Sequence, residues 1–115
     1  MAERVFLKPE DVAGVWGSDF AALAHDPRVR FTDSEIEIKL SRQVLTDSGE
    51  TDRIYVHEPD VTDLKATDGA QGEITKTAIL LRVLAGIPQA SVNKMRGRDF
   101  MLANKVITPF FSDSP

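Results

Sequence analysis

Residues 55–69, YVHEPDVTDLKATDG, put His57 within a few positions of Glu58, Asp60, Asp63 and Asp68. Imidazole and carboxylate are the usual donors of metal centres and of acid–base pairs. The spacing argues against both. His57 and Glu58 follow an alternating apolar run, and successive strand residues point to opposite faces, so the two cannot converge without a bend. The alternating acids, central glycine and terminal glutamate of a calcium loop are missing. A structural reading accounts for the stretch better: Pro59 ends a strand, and Asp60, Thr62 and Asp63 cap and charge the start of a helix. On this reading the stretch is a joint, and it holds no metal.

The other chemistry-bearing residues are as sparse. The chain has two histidines, no cysteine and no Gly-x-Ser-x-Gly elbow, so a nucleophile with a positioned base is not in evidence. His25 precedes Asp26-Pro27, and His57 ends a strand; both read as surface residues. The glycines of ATDGAQGE lack the Lys-Ser/Thr of a phosphate loop and the Gly-x-Gly-x-x-Gly spacing. The residues therefore predict no catalytic site, no cofactor and no metal, and the expected mode of action is binding.

A nucleic-acid partner is the obvious alternative, since NKMRGRD sets Lys94, Arg96 and Arg98 in a row among C-terminal helices. Against it, the net charge is −4 over 115 residues, and the turn AGIPQA carries a proline. The three cations also suit the end of a helix and the loop after it. Absence of cysteine excludes disulfides and thiolate zinc sites. The charged N-terminal stretch does not read as a signal peptide, and no apolar run approaches the ~18 residues of a membrane span. A soluble, cytoplasmic protein is expected.

These residues must be positioned by a small α+β domain. In residues 35–40, EIEIKL sets Ile36, Ile38 and Leu40 on one face, with Glu35, Glu37 and Lys39 on a solvated one. RIYVHE alternates again, with Ile54 and Val56 inward. With DSGE between them, the runs predict an antiparallel β-hairpin whose loop exceeds two residues. A short helix follows at about 61–67. Then comes EITKTAILLRVLAG, whose apolar stripe of Ile74, Ala78, Leu81 and Ala85, widened by Ile79, Leu80, Val83 and Leu84, predicts a largely buried helix. Gly86-Ile87-Pro88 is a helix stop. A short helix with Val92 and Met95 inward and a last helix bearing Phe100, Ala103, Val106, Ile107 and Phe110 complete a cluster of three to four helices. Residues 1–34 read as a loosely helical arm, 35–111 as the hairpin-plus-helix domain, and 112–115 as a flexible tail. Trp16, Phe20 and Phe31 in the arm either fill a core or cover a partner. Phe110 and Phe111 pose the same question, because two adjacent aromatics cannot both face one helical stripe.

The order of these elements, from IEIKLSRQVLTDSGETDRIYVHEPDVTDLKA to AILLRVLAGIPQASVNKMRGRDFMLANKVITPFF, resembles the phage tail assembly chaperones of Mu-like and P2-like myophages, the tail protein E type. The resemblance rests on Glu58-Pro59, Asp63-Leu64, Leu81 through Leu84, Gly86-Ile87-Pro88, Asp99-Phe100-Met101 and Phe110-Phe111, and spans about residues 35–111. The sequence departs at His57 (a basic residue in the pattern), Thr62 (glycine) and Arg96 (a capping serine), and Gly97 is expected to cap the last helix instead. The resemblance implies a non-enzymatic factor that holds the tape measure protein soluble until tail tube protein polymerises around it. It also implies a longer, frameshifted form that recruits tube protein, and absence from the finished virion. Leu64, Ile87, Phe100, Phe110 and Phe111 are the candidate protein-binding residues. A DNA-binding phage regulator, and a self-associating structural tail component, are the alternatives.

Overall fold

The computed structural model describes residues 4–111. Its three-stranded antiparallel sheet has the order β1-β2-β3, with β1 at Val29–Phe31, β2 at Ile36–Thr46 and β3 at Gly49–Val56. Five helices accompany it: α1 (Pro9–Trp16), α2 (Val61–Lys65), α3 (Glu73–Ala85), α4 (Gln89–Asn93) and α5 (Gly97–Ile107). Short 3-10 turns occupy Ser18–Phe20, Leu23–His25 and Thr108–Phe111. The protein is α+β, as its sequence implies.

Register explains the layering. Val29, Ile38 and Ile54 lie across from one another, as do Phe31, Ile36 and Val56, and all six are buried. Since strand side chains alternate, this face of the sheet carries the core, and α3, α4 and α5 pack on it through Leu80, Leu81, Leu84, Val92, Leu102, Val106 and Ile107. The next rung, Arg30, Glu37 and Tyr55, falls on the opposite face. That face was expected to be solvated, yet Glu37 is only 3% exposed. Arg30 donates to Glu37 from Nε (2.7 Å) and Nη2 (3.1 Å), and the Tyr55 hydroxyl donates to Oε2 (2.9 Å). Phe6 lies under the Arg30 guanidinium at 3.8 Å, and the Arg4 guanidinium stacks over Tyr55 at 3.7 Å. Burial pushes the Glu37 carboxyl upward, but the hydrogen bonds from Arg30 and Tyr55 and the Arg30 charge outweigh it and leave Glu37 below its ordinary 4.5.

The hairpin is real, but its loop is shorter than the turn cluster suggested: Thr46 pairs with Gly49 across only Asp47 and Ser48. The Thr46 hydroxyl fixes the turn, donating to the Gly49 carbonyl at 2.7 Å and accepting from the Ser48 N–H at 3.1 Å. Gly49, at φ 110°, makes the tight return sterically cheap. Farther along, the pairing jumps from Lys39↔Arg53 to Val44↔Thr51, leaving residues 40–43 of β2 opposite Asp52 alone. This bulge swings Ser41 and Arg42 toward the helices.

The N-terminal third is tied into the same core. The expected division at residues 34 and 35 falls between two paired strands, β1 and β2. Three residues are too few for β1 to show periodicity, so nothing in the sequence sets it apart from the arm. Val12, Phe20, Val29 and Phe31 are all buried. Trp16, Phe20, Phe31 and Phe110 form an aromatic cluster with ring centroids 5.1–6.3 Å apart, and the Trp16 indole donates to the Thr32 carbonyl at 2.7 Å. The tail expected at 112–115 lies outside the described residues.

Candidate functional site

The acidic joint is structural. Asp60 caps α2: its Oδ1 accepts from the Asp63 N–H (2.9 Å), while the Asp63 carboxylate accepts from the Asp60 N–H (3.1 Å). The His57 ring is engaged by the Glu58 carbonyl through Nδ1 at 2.9 Å. Among the described residues, no three His, Asp or Glu side chains gather closely enough to hold a metal.

The five candidate binding residues do not form one surface. Ile87 is fully buried. Gly86 adopts the left-handed conformation (φ 68°, ψ 31°), and the Ile87 N–H reaches back to the Leu81 carbonyl, so the chain reverses and drives Ile87 into the core. Phe110 stands against Phe20 (5.1 Å) and Trp16 (6.3 Å), and Phe111 is half-buried against the core. Leu64 lines a shallow depression with Val61, Thr67 and Lys76, away from the others. Phe100 alone lines a groove with apolar walls.

That groove, of about 440 Å³, runs between α3, α4 and the start of α5. Ile74, Ala78 and Ile79 line it from α3, Val92 from α4, Met95 from the segment that follows and Phe100 from α5. Thr75, Gln89 and Asn93 supply an uncharged polar rim. Ile74 is 63% exposed and Met101, beside Phe100 in sequence, 49%. The sequence sets Val92 and Met95 inward, and both are buried, so they meet the groove only at an edge; Ile74, read into a buried stripe as well, is exposed. The available signal was the width of the α3 stripe: Leu80, Leu81 and Leu84 with Ala78 already fill the face toward the sheet, leaving Ile74 and Ile79 in surplus.

Two polar clasps hold the walls. Asp99, 3% exposed in the first turn of α5, accepts from the Ser41 N–H at Oδ1 and the Ser41 hydroxyl at Oδ2, both at 2.9 Å, and so fixes α5 to the bulge of β2. At the other end, Thr77 donates to Asn104 Oδ1 (2.6 Å), Asn104 Nδ2 donates to Glu73 Oε1 (3.0 Å), and the Thr108 hydroxyl also meets Glu73 Oε1 (2.7 Å). Hydrogen bonds from Thr108 and Asn104 hold the Glu73 carboxyl below its usual range. This network sets the spacing of α3 and α5. The residue expected to cap α5, Gly97, is instead its first helical residue; Arg96 stands at the cap without a side-chain bond, its carbonyl receiving the Asp99 and Phe100 N–H groups at 3.0 Å each.

The chain matches the family described as "Phage tail assembly chaperone proteins, E, or 41 or 14" over residues 37–112. The match contains the whole groove, and the chain belongs to that family. No curated protein and no solved structure matches it. Membership points to a non-enzymatic role in tail assembly and to interaction with tail proteins. None of the described helices is long and apolar enough to cross a membrane.

Proposed function

We propose that the protein acts in the host cytoplasm by holding a helical segment of the tape measure protein in the α3–α4–α5 groove until tail tube protein assembles around it. One observation carries this reading: an apolar groove with an uncharged polar rim, lying wholly inside the segment that matches the chaperone family. Amphipathic helices dock in such grooves through apolar anchors at i, i+3/i+4 and i+7. Ile74, Ile79, Val92, Met95 and Phe100 are the side chains that would receive them.

The test is co-expression with the tape measure protein of the same phage, scored by the soluble fraction and by co-elution. The wild-type chain is expected to keep that protein soluble and to elute with it. Ile74→Asp is expected to lose capture while its thermal midpoint stays that of the wild type, because Ile74 contributes little to the core. A tape measure protein equally soluble alone, or captured as well by Ile74→Asp, would overturn the proposal.

A further inference from the structure

The groove lies beside a group of exposed cations in a chain of net charge −4. Lys94, Arg96 and Arg98 are exposed and interleave with the lining residues Asn93, Met95 and Gly97. Arg42, carried on the β2 bulge, reaches the same loop, its Nη2 donating to the Lys94 carbonyl at 3.4 Å. Among the described residues none of these four cations pairs with a carboxylate, and the acid next to them in sequence, Asp99 in the first turn of α5, is buried and taken by Ser41. Local structure does not account for Arg96 and Arg98. Lys94 suits the C-terminal end of α4, but Arg96 and Arg98 sit at the N-terminal end of α5, where the helix dipole disfavours cations.

We infer that the occupant of the groove is an acidic amphipathic helix, its apolar stripe bordered on one side by carboxylates that meet Arg42, Lys94, Arg96 and Arg98. This rests on the groove reading above and adds the charge of the partner. Nucleic acid fits less well, because a duplex offers phosphates for the cations but no apolar ridge for Ile74, Ile79, Val92, Met95 and Phe100. The cations border an apolar trough, and complementary charge along one edge fixes the direction and register of a helix that apolar packing alone would let slide.

The test uses fluorescent synthetic helices and the full chain, read by anisotropy at low and high salt. Two peptides share one leucine stripe and differ in having glutamates or lysines along its border; a labelled DNA duplex is the third probe. The glutamate peptide is expected to bind at least tenfold more tightly than the lysine peptide and to weaken as salt rises. Arg96→Glu/Arg98→Glu is expected to reverse the preference, with Trp16 emission unchanged as evidence of folding. If both peptides bind equally and the reversal has no effect, the charge assignment fails while the groove stands. If neither peptide binds, the groove reading fails with it. Binding of the duplex with neither peptide retained would make the patch a nucleic-acid surface and overturn the inference.

Discussion

Replacing Phe110 with alanine separates a core residue from a partner contact. The ring is half-buried and stands edge-on or tilted to Trp16 and Phe20, linking the end of the chain to its N-terminal third. Full truncation of a buried phenylalanine costs about 3–5 kcal/mol. With part of the ring in solvent, and two aromatic contacts of roughly 0.5–1.5 kcal/mol each included, about 2 kcal/mol is expected. For a domain of this length that lowers the thermal midpoint by about 8–15 °C. The chain contains one tryptophan, so Trp16 fluorescence reports the event at the site itself. Phe110→Ala should shift its emission toward the red even in the folded protein, and a double-mutant cycle with Phe20→Leu should return a coupling of about 0.5–1.5 kcal/mol. A midpoint within ~2 °C of wild type, with unchanged emission, would refute the packing argument and return Phe110 to the partner surface.

Four further outcomes follow from the same geometry. Asp99→Ala should cost about 2–3 kcal/mol in urea unfolding, since it strips two charge-assisted hydrogen bonds and leaves the Ser41 N–H without its acceptor, and Asp99→Asn should cost less. Glu37 has a folded pKa below its ordinary 4.5, so its contribution is present above the unfolded value and lost as pH falls through the folded one. Glu37→Gln should therefore flatten the fall of the urea midpoint below about pH 4.5 and cost about 1–2 kcal/mol at pH 7, discounted for the half-exposed Arg30. Gly86→Ala places a Cβ 3.3 Å from Asp47 Oδ2 at φ 68° and should lose about 1–3 kcal/mol, measured by thermal unfolding. Deleting residues 1–34 removes β1 and the Trp16–Phe20–Phe31 part of the aromatic cluster; the remainder should bind a hydrophobic dye and lack a cooperative thermal transition, whereas a sharp transition would show the N-terminal third to be dispensable.

Legibility in the sequence tracked the length and regularity of each pattern. Ile36, Ile38 and Leu40 announced β2, and Gly86-Ile87-Pro88 announced the end of α3, because each rests on a rule local in sequence. What could not be read depended on partners remote in sequence. Glu37 looks like a solvated strand residue until Arg30 and Tyr55 arrive on either side of it, and three residues of β1 carry no period of their own. The bulge at 40–43 is visible only against β3, yet it brings Ser41 to Asp99 across 58 positions. The packing of the candidate binding residues was hidden for a related reason: Ile87 and Phe110 are apolar at element ends, which suits a core plug or an exposed anchor alike, and only the fold shows Ile87 buried and Phe110 set against Phe20.

That distinction also explains why core and groove can be altered separately. Core stability rests on the sheet face, Leu80, Leu81 and Leu84 of α3, and the aromatic cluster, none of whose rings lines the groove. The groove joins Ile74 and Ile79, the residues of α3 left over from that packing, to Phe100 and the edges of the core residues Ala78, Val92 and Met95, and polar clasps at Asp99 and Glu73 fix the helices around it. A partner-binding surface drawn from surplus apolar positions can change its side chains at little cost to folding, since Ile74 contributes mainly solvent-exposed area. The clasps cannot vary so freely, because loosening either one moves a whole wall. Variation that adapts the protein to a new partner should therefore concentrate at Ile74, Thr75, Ile79, Gln89 and Asn93, while Ser41, Thr77, Asp99 and Asn104 stay fixed.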